Sequence, residues 1–355
     1  MPPDPLFVLV PGDLHTRTGG YGYDRQIIAG LRDRGWAVNV LRLDDSFPMP
    51  TPAARTHAAQ MLAAIPAGST VLVDGLALGA LPEEVEREAG RLRIVALVHH
   101  PLAAETGIDP AAAAILGISE PRALAAARAV VVTSHATAAR LAGDGVTADR
   151  ITVVEPGTDA APLARGSGVS HQPSEVALLC VATLTPRKGH ALLLSALGSI
   201  PQRDWRLTCA GSLSRDPETV ARVRAQIRDL GLEDRVTLLG DLDQPALAAQ
   251  YDRADLFVLA TLYEGYGMAV AEALARGLPV LSTATGAIQD LVGNAGIIVS
   301  PGDLPALTAA LSSAIGDPTL RATLRANASC RRRRLPTWDA AVAAMARTLE
   351  SGSAG

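Results

Sequence analysis

No apolar run in this 355-residue chain reaches the roughly 18–20 residues needed to cross a bilayer, so no membrane-spanning segment is expected. The first residues, Met1-Pro2-Pro3-Asp4-Pro5, carry neither a basic flank nor an apolar core, and no secretory signal is read there. Cysteine is sparse. Cys180, Cys209 and Cys330 are odd in number, widely spaced and without metal-ligand spacing. They fit reduced structural thiols in a cytoplasmic protein better than a disulfide framework. Positive charge is not in excess either: the formal net charge is -4. The broad basic field of a general nucleic-acid binder is therefore missing, and no nucleic-acid partner is expected. Aromatic residues make up only 3% of the chain, and composition by itself names no chemistry.

What the chain does have is apolar material: 48% of its residues are hydrophobic, enough for sizeable cores in a globular protein. At about 100–200 residues per domain the length predicts two domains. Short runs dense in Val, Leu and Ile alternate with longer helical patterns, as in parallel α/β architecture. The predicted strands of the first half are Leu6–Val10, Ala37–Leu41, Thr70–Asp74, Arg93–Val98, Ala129–Thr133 and Ile151–Val154. Those of the second half are Val176–Val181, Arg206–Ala210, Arg235–Leu239, Asp255–Ala260, Pro279–Thr283 and Gly296–Val299. Runs of this kind suit strands buried on both faces. A stretch rich in Gly, Pro, Ser and Ala, over 161–175, reads as a linker. The expectation is two doubly wound α/β domains facing each other across a cleft: residues 1–160 and 176–336, with the last helix, 337–350, returning to the first domain. Ligands of such sheets bind beyond the carboxyl ends of the strands, and the loops that carry chemistry all follow a predicted strand.

After Asp255–Ala260 comes Thr261-Leu262-Tyr263-Glu264-Gly265-Tyr266-Gly267-Met268, then an apolar helix containing Glu272. Glycines 265 and 267 let backbone approach a ligand, and the helix start behind them offers free amides to a phosphate. A carboxylate in Met268-Ala269-Val270-Ala271-Glu272-Ala273-Leu274-Ala275 must be paired or face a polar cleft, because burying it alone is costly. Physics leaves both accounts of Glu272 open. Arg187 and Lys188, in Thr185-Pro186-Arg187-Lys188-Gly189-His190 after Val176–Val181, suit a diphosphate, Arg as a planar fork and Lys as a point charge. The first strand leads into Pro11-Gly12-Asp13-Leu14-His15-Thr16-Arg17-Thr18-Gly19-Gly20-Tyr21-Gly22-Tyr23, read as a glycine-rich loop before a helix from about Asp24. It lacks the spaced dinucleotide fingerprint. Arg93–Val98 ends in His99-His100-Pro101. Adjacent residues of an extended segment point to opposite sides, so a shared metal is not expected. One of the two histidines facing the cleft is the better reading.

In this order, the segments resemble the retaining glycosyltransferases of the GT-B fold, specifically glycosyltransferase family 4. The resemblance is strongest from Tyr263-Glu264-Gly265-Tyr266-Gly267 through Glu272 to Gly277-Leu278-Pro279-Val280, which is similar to that family's Glu-x7-Glu motif. Gly19-Gly20, the strand-end histidine, Val153–Asp159, Thr183–Gly189, Tyr251–Leu256 and Trp338-Asp339 add to it, so it covers essentially the whole chain. The resemblance implies that Arg187 and Lys188 hold the donor diphosphate. It implies that Glu272 accepts hydrogen bonds from ribose hydroxyls and that Glu264 contacts the transferred sugar. Amides around Tyr266, Gly267 and Met268 add to that grip; His99 faces the sugar, with His100 the alternative; Gly19 and Gly20 shape the donor–acceptor junction. The leaving phosphate would take the acceptor's proton on the same face, so no protein nucleophile is implied. The chain departs from the pattern in two places. Thr183 stands where many relatives carry an arginine, and Gly286-Ala287-Ile288 stands where they show two glycines.

The implied activity is metal-independent transfer without a required cofactor, from a nucleoside-diphosphate sugar, UDP- or GDP-linked, to a lipid-linked, glycan or small-molecule acceptor. The setting would be bacterial glycan, glycolipid or glycosylated metabolite synthesis in the cytoplasm. Epimerase or phosphorylase chemistry on the same fold, or a non-catalytic sugar-nucleotide-binding subunit, are the alternatives. Asp241-Leu242-Asp243 has the spacing of a metal-binding pair but precedes Gln244-Pro245, where a capping aspartate is the simpler account. Ser134 and Thr137 read as a helix start. Arg331–Arg334 reads as a solvated helix end, with peripheral contact to anionic lipid as the alternative. Acceptor choice falls to Thr16–Tyr23, Asp44–Pro52 and Ala103–Pro121, which carry no readable code, and nothing in the sequence sets an oligomeric state.

Overall fold

The computed structural model describes residues 5–104, 109–169 and 175–351. The chain divides into two compact units, Met1–Gly157 with Pro336–Gly355, and Thr158–Leu335. Each is built on one six-stranded sheet whose ladders are all parallel. The first holds β1 (Leu6–Pro11), β2 (Val38–Leu43), β3 (Thr70–Asp74), β4 (Arg93–Val98), β5 (Ala129–Val132) and β6 (Ile151–Val153). The second holds β7 (Val176–Val181), β8 (Trp205–Ala210), β9 (Val236–Gly240), β10 (Leu256–Leu259), β11 (Val280–Thr283) and β12 (Gly296–Val299). All the strands predicted from apolar runs form, with ends shifted by a residue or two. β2 gains Arg42 and Leu43 because its ladder to β1 continues to the pair Pro11–Leu43.

The first sheet runs β2-β1-β3-β4-β5-β6 and the second β12-β11-β10-β7-β8-β9. Chain progression reverses between β1 and β3 in the first and between β7 and β10 in the second. Those reversals leave a crevice beyond the strand ends, where doubly wound sheets take ligands. One expectation is corrected here. The first helix runs Gly19–Asp33, not from about Asp24, so Gly19 and Gly20 lie in its first turn instead of a loose loop. Thr18 starts it by accepting the Tyr21 amide at 3.2 Å, a cap that offsets the glycines' low helix propensity. The stretch expected to link the domains is tied to the second unit: Ala164 N–H donates to Arg276 O and Gly166 N–H to Asp252 O, both at 2.8 Å. Its residues 170–174 lie outside the described residues, as do 105–108 of the expected acceptor loop Ala103–Pro121. Most of the rest of that loop is the helix Pro110–Ala126.

The last helix, Trp338–Ser351, belongs to the first unit and lies against the first helix. At Gly30 the approach is so close that a Cβ would sit 2.4 Å from Val342 Cγ2. Replacing a helical glycine by alanine ordinarily stabilises by roughly 0.5–1 kcal/mol. Here overpacking, worth about 1–3 kcal/mol, sets the opposite sign. Gly30→Ala should lower the denaturation midpoint of the wild type and should be neutral or stabilising in a Val342→Ala background. Stabilisation of the wild type by Gly30→Ala would show that this contact is misplaced.

Glu120, on the helix Pro110–Ala126, is buried; its Oε2 accepts from Leu102 N–H at 2.9 Å, and Oε1 has no partner among the described residues. Burial lifts its carboxyl to about 7, against the lowering effect of that hydrogen bond. Because the folded value lies above the unfolded one, the stabilisation is complete at acid pH and is lost as pH rises through about 7. Glu120→Gln should therefore melt above the wild type at pH 8, by an amount equivalent to at most about 3 kcal/mol. The two should converge near pH 4.5, and a difference that does not depend on pH would refute the buried carboxyl as its cause.

Candidate active site

At the reversal of the second sheet, the loops after β7 and β10 are joined. Pro186-Arg187-Lys188 form a single helical turn behind Thr185, closed by Gly189 at φ 68°. A Cβ on Gly189 would lie 1.9 Å from the carbonyl oxygen of Ala260, so only glycine lets the two strand ends cross this closely. Arg187 O accepts from Leu262 N–H at 2.7 Å and from the Thr261 hydroxyl at 3.1 Å, while Arg187 Nη1 donates to Tyr263 O at 2.9 Å. The turn is thus fastened before its charges are used. Lys188 Nζ forms an ion pair with Glu264 Oε1, and Arg187 Nη1 stands 4.0 Å from Glu264 Oε2. All three side chains are largely buried, and Arg187 Nε has no acceptor among the described residues. Two cations facing one carboxylate leave the cluster one charge short on the negative side.

Past Glu264 the backbone turns under Gly286, whose Cβ would fall 2.0 Å from Glu264 O. Ala287, in the stretch Gly286-Ala287-Ile288, donates its N–H to Gly265 O at 3.2 Å. Tyr266 is buried, Gly267 takes φ 97°, and Met268 opens the helix Met268–Ala275 without a side-chain cap. Glu272, one turn in, does not join the Arg187–Lys188–Glu264 cluster through any contact found. Its Oε2 accepts from the Tyr251 hydroxyl at 3.0 Å. The guanidinium of Arg276 lies 4.4 Å from the centre of the Tyr251 ring. Burial pushes the Glu272 carboxyl above its usual range, the Tyr251 hydrogen bond and Arg276 pull it back, and Asp159 adds to the rise. Tyr251, within one of the segments carrying the resemblance, is the partner that sequence reasoning gave no role.

In the first unit, His99 follows β4 and turns toward the reversal between β1 and β3. Its Nε2 lies 3.2 Å from Asp24 Oδ1 and 3.8 Å from Asp74 Oδ2, with both aspartates 2–3% exposed. The ring meets Tyr23 edge-on at 5.4 Å and rests on Gly20, where a Cβ would lie 3.3 Å from His99 Cδ2. Gly20 thus serves the packing of helix against histidine. Asp24 and Asp74 were not foreseen as site residues. Burial works against a charged His99 ring. The charge and hydrogen bond of Asp24 and the charge of Asp74 outweigh it and hold the imidazole above its ordinary value.

Other readings resolve simply. Asp243 caps the helix Gln244–Arg253 through Ala246 N–H at 2.9 Å, and Ser134 caps the helix His135–Gly143 through Thr137 N–H at 3.1 Å. Of the arginine run, Arg331 and Arg332 are spent on the carbonyls of Asp290, Leu291 and Ala161, while Arg333 and Arg334 are exposed. Cys180 and Cys209 pair in register on β7 and β8 and are buried, with His190 Nε2 at 3.7 Å from Cys180 Sγ. Cys330 is exposed. Among the described residues no helix is long and apolar enough to cross a membrane.

Residues 169–331 match the model of the glycosyl transferases group 1 family. D-inositol 3-phosphate glycosyltransferase of Xylanimonas cellulosilytica is 30% identical over 243 residues, 64% of this chain and 58% of the relative. The protein of the same name from Pseudarthrobacter chlorophenolicus is 30% identical over 220 residues, 58% of this chain and 51% of the relative. The chain thus spans little more than half the length of these curated relatives. Among solved structures, sucrose-phosphate synthase from Thermosynechococcus elongatus superposes with a TM-score of 0.82 at 22% identity, covering 98% of this chain and 99% of its own. Anabaena HepE in complex with UDP and glucose superposes with a TM-score of 0.78 at 20% identity, over 98% and 100% of the two chains. The chain therefore has the GT-B fold, and the part of its second unit that carries Arg187, Lys188, Glu264 and Glu272 matches the glycosyl transferases group 1 family.

Proposed function

We propose that the protein is a retaining glycosyltransferase that moves a sugar from a UDP- or GDP-sugar to the hydroxyl of a lipid-linked, glycan or small-molecule acceptor. Transfer requires neither metal nor further cofactor. The observation that carries this reading is the Arg187–Lys188–Glu264 cluster at the reversal of the second sheet, with its surplus of positive charge and the unpaired Nε of Arg187. Arg187 and Lys188 hold the diphosphate and stabilise the charge that grows on it as the glycosidic bond breaks. Glu264 trades its ion pair for the sugar's hydroxyls. Glu272, oriented by Tyr251, accepts from the ribose, and the first-turn amides of Met268–Ala275 add donors. His99 contacts the transferred sugar. The departing phosphate accepts the acceptor's proton on the face where the new bond forms, which leaves the anomeric configuration unchanged. Relatives named as D-inositol 3-phosphate glycosyltransferases and a lipopolysaccharide core mannosyltransferase support this chemistry, as does HepE with bound UDP and glucose. A phosphorylase would need a further lysine for its cofactor, and Lys188 is the chain's single lysine.

That single lysine gives a direct test. Reductive methylation with labelled formaldehyde marks only Lys188 and the terminal amine and keeps the charge. In chelator, titration with UDP or GDP should move the Lys188 signal, and the bare nucleoside should leave it in place. A nucleotide at about 100 times its dissociation constant should also stabilise the protein by roughly 2.7 kcal/mol. Glu272→Ala should erase any preference for the ribonucleotide over its 2′,3′-dideoxy analogue. Binding that appears only with a divalent ion would overturn metal independence, and a Lys188 signal indifferent to every nucleotide would overturn the transferase reading.

A further inference from the structure

In the first unit, His99 sits in a cluster whose two aspartates have no assigned task. Three elements converge on one imidazole: the first helix brings Tyr23 and Asp24, the end of β3 brings Asp74, and β4 delivers His99. The aspartates are buried, so their charges need a partner. Asp74 Oδ1 is occupied by the Leu76 N–H at 2.8 Å, leaving Oδ2 toward His99 Nε2 at 3.8 Å. Asp24 gives Oδ1 to Nε2 at 3.2 Å, and its Oδ2 has no partner among the described residues. An imidazolium gives the Asp24 carboxylate a cationic partner that a neutral imidazole would not, and its charge also reaches Asp74. With Nε2–H committed to Asp24, the second proton must sit on Nδ1, which makes no hydrogen bond found among the described residues. Tyr23 meets the ring edge-on as a further titratable side chain, and His100 follows it along the chain.

We propose that Asp24 and Asp74 are positioning residues that grip His99 by Nε2 and keep it an imidazolium, so that Nδ1–H is the donor this unit offers to an oxygen of the sugar nucleotide. The role of the ligand rests on the reading of His99 given above; the charge state and the grip do not. Asp24 supplies the hydrogen bond and the nearer charge, and Asp74 supplies charge from the neighbouring strand end. Gly20 lets the ring lie against the helix, since any side chain there would press on Cδ2.

The test uses the full chain with nitrogen-15-labelled histidine, one of seven signals being assigned through its loss in His99→Gln. Across a titration, the His99 midpoint should lie above the ordinary 6.5, with both ring nitrogens protonated below it. Asp24→Asn and Asp74→Asn, which preserve shape and, at position 74, an acceptor for Leu76, should each shift the His99 midpoint toward the ordinary 6.5. Because the folded value is raised, wild-type stability should fall as pH climbs through the His99 midpoint, and Asp24→Asn should lose that dependence. In turnover, kcat should decline on the alkaline side at lower pH in Asp24→Asn than in the wild type, with a smaller change in KM. A wild-type His99 midpoint at or below 6.5 would overturn the proposal. So would midpoints unmoved in both variants, or quenching of the His99 signal by micromolar Mn2+, which would make the cluster a cation site. A charged, carboxylate-dependent His99 in a protein that binds no sugar nucleotide would support the grip and sink the ligand reading alone.

Discussion

Strands β3 and β10 are buried at every residue and most of β4, β5 and β7 with them, so polar chemistry in either unit has to emerge beyond a strand's carboxyl end. The constraint is dielectric. A charge placed among Val71, Leu72 or Phe257 would lose its hydration with nothing to replace it, whereas past the strand's carboxyl end the chain reaches a crevice. Arg187 and Lys188 follow β7, Glu264 follows β10, Asp74 ends β3 and His99 follows β4. In both sheets the charged groups gather where chain progression reverses, because only there do adjacent strand-end loops diverge and leave room.

Within the second unit this crowding makes the ion-pair cluster possible and sets its character. Burying a Lys–Glu pair gains little by itself, since desolvation consumes most of the attraction. The arrangement holds because the backbone secures it first: the Arg187 carbonyl takes two donors and its guanidinium reaches Tyr263 O. Two cations against one carboxylate then leave a positive field fixed by the backbone, the kind of preorganisation that the proposed diphosphate binding needs. The first unit inverts the composition, with two carboxylates around one imidazole. One unit presents a surplus of positive charge, and the other a cation held by surplus negative charge.

The strands were legible because burial on both faces forces uninterrupted Val, Leu and Ile, and no other common architecture asks for twelve such short runs separated by helical patterns. Lys188 and Glu264 were legible as charges at strand ends, though not as partners, since their separation of 76 residues says nothing about contact. Glu272 was legible as an anomaly in an apolar helix, but its partner Tyr251 lies a strand and a loop away. The start of the first helix was misread because Gly19, Gly20 and Gly22 look like a loop. The competing signal was Thr18 followed by Tyr21, Asp24, Ile28 and Leu31, a buried stripe of helical spacing. Read as helix, that stripe carries one carboxylate among apolar residues, the same kind of anomaly as Glu272. A helix-first reading would have flagged Asp24 before any coordinates.

The two anomalies obey one rule. On an otherwise apolar helical face, Asp24 and Glu272 each approach a ring-bearing partner, His99 and Tyr251, that comes from another element and fixes the carboxylate's direction. A long flexible cation in that place would satisfy the charge and leave the geometry loose, because its side chain has several rotatable bonds and the ring has two. In the proposed transfer, the ion pair made with a flexible partner, Lys188 with Glu264, is the one whose members let go when the sugar nucleotide enters, and there looseness helps. Rigid partners hold groups that orient, and a flexible one holds groups that exchange. That division accounts for why the chain's single lysine sits in the exchanging pair while an imidazole and a phenol sit in the orienting ones.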